Sequence, residues 1–249
     1  MSLLPEALTE DRLMGGAVRV RQPRDGFRVA IDTVLLAAAV PAADGESVLE
    51  PGAGIGAAAL CLARRVPGCR VFGLERQADL VRLAGENVRL NRLERRIDVM
   101  VGDLARPPPR LAPGAYDHVM MNPPFFEAGS TARPASPSRA DARIEGEADL
   151  ACWIGFALAM LRRKGTLTLI HRADRLADVL AALAGRAGGI VVFPVWPRAG
   201  QGPAKRVLIR ARPGVAAPLR LAGGLVLHAG DGAFTPQADA VLRGAPLTL

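Results

Sequence analysis

The chain has 249 residues, half of them hydrophobic, which is about one and a half usual domain lengths and enough for one large core. No run of about 18 apolar residues occurs and no charged-then-apolar leader opens the chain, so the sequence reads as non-membrane and cytoplasmic. Net charge is +8, from 32 basic and 24 acidic residues, and all the basic ones except Lys164 and Lys205 are arginine; a positive chain favours polyanionic partners through phosphate contacts.

Residues 17–22 (AVRVRQ) alternate apolar and polar, as a half-buried strand does. Residues 30–40 are apolar and alanine-rich and predict a short buried helix. A strand at 47–50 stops at Pro51-Gly52, a helix follows over 55–66, and a strand over 70–74. Residues 77–90 carry Leu80, Leu83, Ala84 and Val88 on one helical face. Strands are predicted at 97–101 and 116–121, separated by a proline-rich loop at 106–114. Residues 126–146 read as a long loop, followed by a helix at 147–161, a strand at 165–170, a helix at 174–183 and strands at 190–195 and 205–212. A tail adds a strand at 225–228 and a short helix at 236–243. This alternation predicts a mostly parallel sheet covered on both faces. The short Pro/Gly-rich connection at 196–204 suits an antiparallel final hairpin.

Glu50-Pro51-Gly52-Ala53-Gly54-Ile55-Gly56 joins the first sheet strand to a helix. Glycines there permit a tight turn and close approach of a ligand, and the spacing also satisfies the loose dinucleotide fingerprint. Acidic residues narrow it. Glu50 ends one strand, Glu75 the next, with Arg76 beside it, and Gly102-Asp103 follow the third. Carboxylates at strand ends can accept bonds from ribose hydroxyls and an adenine amine. Glu50 beside the turn disfavours phosphate and suits a cationic group. The expected ligand is a nucleoside with a charged tail, S-adenosylmethionine.

Asn122-Pro123-Pro124-Phe125 follows the fourth sheet strand. Proline ends the strand and holds its predecessor extended, giving a stiff tetrapeptide. Such a turn can accept both N–H bonds of an exocyclic amine, at the Asn122 side-chain oxygen and the Pro123 carbonyl, and Asn122 is also expected to border the bound cofactor. Phe125 can stack on a base. Together these residues predict methylation of an exocyclic amine by positioning and electrostatics. Nicotinamide-dependent oxidoreduction and non-catalytic RNA binding stand as alternatives.

In this order the motifs resemble the class I methyltransferases of the Asn-Pro-Pro-Tyr/Phe branch. The resemblance runs over about residues 18–212. It implies a Rossmann-like α/β fold: a mostly parallel seven-stranded sheet with the last strand antiparallel and helices on both faces. Segments 22–39, 139–145 (RADARIE) and 205–209 (KRVLI) are similar to bacterial adenine-N6 methyltransferases of valine tRNA. That similarity implies a tRNA substrate and puts Asp32-Thr33 beside cofactor and active site. Members of the branch also methylate guanine amines in rRNA and glutamine in proteins, which stay open. The organisation expected is an N-terminal extension (1–40), a methyltransferase domain (41–212) and a C-terminal tail (213–249).

Arg19, Arg21, Arg24 and Arg28, with Arg133, Arg139, Arg143 and Lys205, are candidate phosphate contacts. His118 and His171 read as packed rather than as bases, and Trp153 and Phe156 as core. Cys61, Cys69 and Cys152 match no zinc spacing and read as reduced thiols; no metal is expected.

Overall fold

The computed structural model describes residues 8–24, 28–125, 148–200 and 202–249. It opens with an antiparallel hairpin, β1 (Leu8–Leu13) and β2 (Val18–Pro23), turned at Met14–Gly16. Then come α1 (Ile31–Ala39), β3 (Ser47–Pro51), α2 (Ala57–Arg65), β4 (Arg70–Glu75), α3 (Ala78–Leu90), β5 (Ile97–Val101) and β6 (Tyr116–Met121). The remainder is α4 (Leu150–Met160), β7 (Leu161–Arg172), α5 (Leu176–Leu183), β8 (Ala187–Arg198), β9 (Arg206–Pro213), β10 (Arg220–Leu221), β11 (Leu225–His228) and α6 (Pro236–Leu242).

Among the described residues nine strands form one sheet in the order β10-β8-β9-β7-β6-β3-β4-β5, with β11 also on β8. β9 runs antiparallel to both its neighbours, as the short 196–204 connection predicts; the other pairings are parallel. The seven expected strands are present, and β10 and β11 extend the edge. The central strands are apolar on both sides, as a sheet buried on both faces requires. Val48, Met120, Ile170 and Leu208 join the core under α1 and α2, with α6 and β2 also packed there. Their neighbours Leu49, Met121, Leu169 and Ile209 join the core under α4 and α5.

β7 is longer than expected because Arg162, Arg163 and Lys164 continue the strand before its apolar part. A register shift against β6 takes up the extra residues, with Lys164 at φ 64°. β1 escapes the sequence reading because its pattern LTEDRL buries no full face. Asp149 caps α4 by accepting the Cys152 amide at 2.8 Å, so the helix begins after it rather than at 147. The loop expected over 126–146 lies outside the described residues. Among the described residues no helix is long and apolar enough to cross a membrane.

The hairpin is held to the domain by two side chains that act as a strand would. Asn87 accepts the Arg21 N–H at 2.7 Å and donates to the Arg21 carbonyl at 2.9 Å. Asn91 does the same for Arg19, at 2.9 and 2.6 Å. Four residues apart on a helix, the amides share a face; two apart on β2, Arg19 and Arg21 turn their backbone to the same edge. Asn87 is fully buried and also donates to the Ile55 carbonyl, so nothing in it is wasted on solvent. Replacing it leaves buried backbone groups unpaired. Asn87→Ala is expected to lower the unfolding free energy by about 1–3 kcal/mol in urea titration; an unchanged midpoint contradicts this account of the docking.

Candidate active site

β3 pairs directly with β6, Leu49 against Val119. This is where the strand order reverses, and the turns that follow the two strands sit one strand spacing apart, about 4.8 Å. One turn is the glycine loop, the other is Asn122-Pro123-Pro124-Phe125. Gly52, Gly54 and Gly56 all adopt positive φ, 70°, 53° and 80°. At Gly52 a side chain is excluded twice, since a Cβ there would lie 2.6 Å from the Trp153 ring. Trp153 of α4, expected as core, is half-buried and lies over the glycine loop.

Glu50 is buried at the end of β3, and its carboxylate accepts the Ala59 amide at 3.0 Å. Gly56 at the N-cap of α2 has no side chain to offer, so Glu50 satisfies that helix end from the preceding strand. The Glu50 side chain therefore already occupies a helix-terminal amide that a cofactor phosphate would use, which argues against the nicotinamide alternative. Burial pushes the Glu50 carboxyl up to about 8; the Ala59 hydrogen bond opposes this and the nearby Glu75 adds to it.

Glu75, buried at the end of β4, accepts the Gly54 amide at 3.0 Å with one oxygen and the Gln77 amide at 2.9 Å with the other. It braces the glycine loop, and each oxygen keeps a lone pair for a hydroxyl. Ala53 is buried against this loop; its methyl is 2.8 Å from where a Cβ of Gly73 would stand. Gly102 donates to the Glu75 carbonyl at 2.9 Å, and Asp103 is half-buried with one oxygen on the Ala105 amide. Arg76 is exposed beyond Glu75.

The Asn122 side-chain oxygen is buried and has no hydrogen-bond partner among the described residues. Pro123 is buried, and Pro124 and Phe125 are half-buried. Two residues absent from the sequence-derived site flank Phe125. Arg206 lies with its guanidinium 4.9 Å from the ring centre and pairs with Asp32 of α1 at 2.7 Å. His171 meets the ring edge to face at 5.5 Å. It is fully buried, and neither ring nitrogen makes a hydrogen bond of good geometry. Burial, then Arg175, pushes its imidazolium down to about 4, although the Pro124 and Arg172 backbones beside it pull the other way. It is neutral at neutral pH and too weak a base to take a proton there. Asp32 thus engages Arg206, with Thr33 buried beside it. Asp32 and Arg206 are 174 positions apart, so no local pattern could have joined them.

The remaining candidates are dispersed. Arg28 pairs with Asp11 at 2.7 Å, and Arg19 and Arg21 reach Glu10 at 2.8 and 3.7 Å, so the acidic β1 partly neutralises this cluster. Arg24 and Lys205 are exposed. Arg133, Arg139 and Arg143 lie outside the described residues. His118 is packed far from the strand ends named above, 2.8 Å from Glu46 before β3. Among the described residues no cluster of potential metal ligands occurs.

With strand order, glycine turn and Asn-Pro-Pro turn in this relation, the domain has the build of a class I methyltransferase. The family model of the methyltransferase small domain matches residues 27–136. The tRNA1(Val) (adenine(37)-N6)-methyltransferase of Aeromonas hydrophila is 31% identical over 220 residues, 88% of this chain and 89% of the relative. That of Tolumonas auensis is 30% identical over 171 residues, covering 68% of this chain and 69% of its own. A crystal structure from Agrobacterium tumefaciens, described as a predicted O-methyltransferase, superposes with a TM-score of 0.72 at 28% identity, over 88% of this chain and 99% of that one. The tRNA (m1A58) methyltransferase of Aquifex aeolicus shares the fold, with a TM-score of 0.57 at 13% identity over 78% and 73% of the two chains. The chain belongs to the family of the tRNA1(Val) (adenine(37)-N6)-methyltransferases.

Glu50 has a consequence for stability. Unfolded, its carboxyl ionises near 4.5; folded, it keeps its proton to about 8. The folded state binds the extra proton between those values, so this group's contribution falls as pH rises through the window. Glu50→Gln should therefore gain stability relative to the parent from about pH 5 to about pH 8 in denaturant titrations; a pH-independent difference argues against a protonated Glu50.

Proposed function

We propose that the chain is an S-adenosylmethionine-dependent methyltransferase that acts on N6 of an adenine in tRNA. The observation that carries this is the buried, unpartnered Asn122 oxygen beside the glycine loop. An unsatisfied buried acceptor costs about 1–3 kcal/mol, and an amine donor from a substrate removes that cost.

The residues present fit the cofactor. The glycine turn offers open backbone, Glu75 offers acceptors for ribose hydroxyls, Asp103 an acceptor for the adenine amine, and Glu50 a carboxyl for a cationic tail. Gly102 and Arg76 border this cleft, and Asp32 and Thr33 close it from α1. Bound there, S-adenosylmethionine supplies a methyl group on a positively charged sulfur.

The rest is done by the chain. Adenine's N6 is a poor nucleophile because its lone pair is delocalised into the ring. Asn122 accepts one N–H and the Pro123 carbonyl the other, which draws the nitrogen toward tetrahedral geometry and takes its lone pair out of conjugation with the ring. Pro124 holds the turn stiff, and Phe125 stacks on the base. Transfer would break the carbon–sulfur bond, leaving a neutral thioether and a cationic nitrogen; the N–H, acidified only then, would pass its proton to water, so no strong base is required, in keeping with a neutral, weakly basic His171. An oxygen nucleophile carries at most one proton and would leave one of the two acceptors unpaired, so we read the substrate as an amine. Exposed Arg24 and Lys205, with Arg139, Arg143, Arg21 and Arg28, are proposed contacts to phosphate. Such a substrate goes with a cytoplasmic location, where tRNA is processed and thiols stay reduced.

Incubation with unmodified tRNA and nucleoside mass spectrometry tests the proposal. N6-methyladenosine is expected; methylguanosine, or methylglutamine in a protein, would overturn the adenine assignment. Asn122→Ala should lower kcat by about 10²–10³ with a much smaller loss of cofactor affinity, as loss of a positioned transition-state partner does. A cation beside Glu50 favours its ionised form. Calorimetry near pH 7 in buffers of different ionisation enthalpy should show proton release on cofactor binding, and Glu50→Gln should show none and bind roughly tenfold more weakly.

A further inference from the structure

β6, β7, β8 and β11 all end at the same edge of the sheet, and antiparallel β9 begins there. Walking along that edge from Phe125 one meets His171, then Arg206 and Lys205, then Arg198, then His228. β11 is four strand positions from β6, about 19 Å, which is a reach of a few nucleotides.

At the far end of this row two rings stack, one half-buried and the other exposed. His228 and Phe234 have centroids 4.8 Å apart and planes 22° from parallel. Phe234 is 40% exposed, one of few large apolar side chains so placed among the described residues. The pair is built rather than loose. His228 is in register with Arg198 of β8, bridges to the Phe234 backbone, and its Nδ1 donates to the Gly232 carbonyl at 3.0 Å. Thr235 donates its hydroxyl to the Val226 carbonyl at 2.7 Å and caps α6 directly after the phenylalanine. Arg198 lies across the same turn, its Nη2 3.8 Å from where a Cβ of Gly232 would stand. Asp231, the acid in that turn, points its carboxylate at the Ala233 amide, 3.0 Å.

An exposed aromatic ring held rigid beside Arg198, with exposed Lys205 two strands nearer Phe125 along the same row, suits an unpaired nucleobase with its phosphate. Stacking is tolerant of sequence because every base has a π face, and the cations meet the backbone. We propose that the His228–Phe234 pair is a docking platform for an unpaired nucleotide of the tRNA loop that carries the target adenine, with Arg198 and Lys205 on its phosphates. The platform rests on the reading of the chain as a tRNA methyltransferase. It binds RNA and takes no part in methyl transfer.

Steady-state kinetics with an in vitro transcribed tRNA(Val) and the full chain separate these roles. Phe234→Leu, which keeps apolar packing and removes the π face, should raise KM for tRNA about tenfold with kcat and cofactor affinity unchanged. Phe234→Trp should retain the parental KM. Arg198→Gln should reduce the slope of log affinity against log salt by about one. An unchanged KM in Phe234→Leu overturns the platform and leaves the methyltransferase reading intact. Equal loss in the Leu and Trp variants also overturns it, because stacking is then not what the ring contributes. A parental chain that methylates no tRNA overturns both readings, with the variants adding nothing.

Discussion

In a doubly wound sheet the strand order has to reverse once, and at that point two neighbouring strands send their chains to opposite sides. Here the reversal falls between β3 and β6. The crevice this opens is bounded by the glycine turn on one side and the Asn-Pro-Pro turn on the other. The parallel pairing of β3 and β6 sets the distance between these two turns. It needs no side chain of its own at the crevice, only two strands that are apolar on both faces. The other contributions arrange themselves around it. Trp153 roofs the glycine turn from α4, Glu75 braces it from β4, and antiparallel β9 delivers Arg206 to Phe125 from the opposite chain direction.

Polar groups in the fold divide sharply by whether they are satisfied. Asn87 and Asn91 meet donors and acceptors on every side and serve as structural joints. Asn122 and His171, next to Phe125, are buried without partners of good geometry. Glu50 is buried with its carboxyl pushed up to about 8. Groups of this second kind lower stability; Asn122, His171 and Glu50 stand at the strand ends that border the crevice, while the unpartnered His118 Nδ1 and Thr168 Oγ1 lie within β6 and β7, away from it. The contrast separates residues whose amides are fully paired from one whose oxygen is left without a partner, though all are asparagines.

The positive charge is also less uniform than its total suggests. Arg19, Arg21 and Arg28 are met by Glu10 and Asp11 of β1, and Arg172 and Arg175 by Asp174 and Asp178. Exposed ion pairs of this kind add little stability, yet they change where a polyanion is drawn. Arg198 and Lys205 stand at the edge of the sheet that also carries the crevice, whereas Arg162 is paired with Asp117 at the opposite end of β6 and β7.

The sequence alone determined the seven core strands and the helices between them, the antiparallel last pair, and the two turns that face each other across the crevice. Those features are local: periodicity, proline and glycine act on neighbouring residues, so they are readable without coordinates. Glu50 and Glu75 were legible for the same reason, as each ends a strand beside a recognisable turn. What only the tertiary structure decided was contact between residues far apart in the chain. Arg206 on Phe125 and Asp32, Trp153 over Gly52, Glu50 on the α2 amide and the two asparagines on β2 all depend on packing between elements. β1 was hidden because its stability comes from pairing with β2 rather than from an apolar face of its own. Propensity and spacing record what a segment prefers; which distant carboxylate or ring it meets is settled only when the sheet closes its hydrogen bonds and buries both faces.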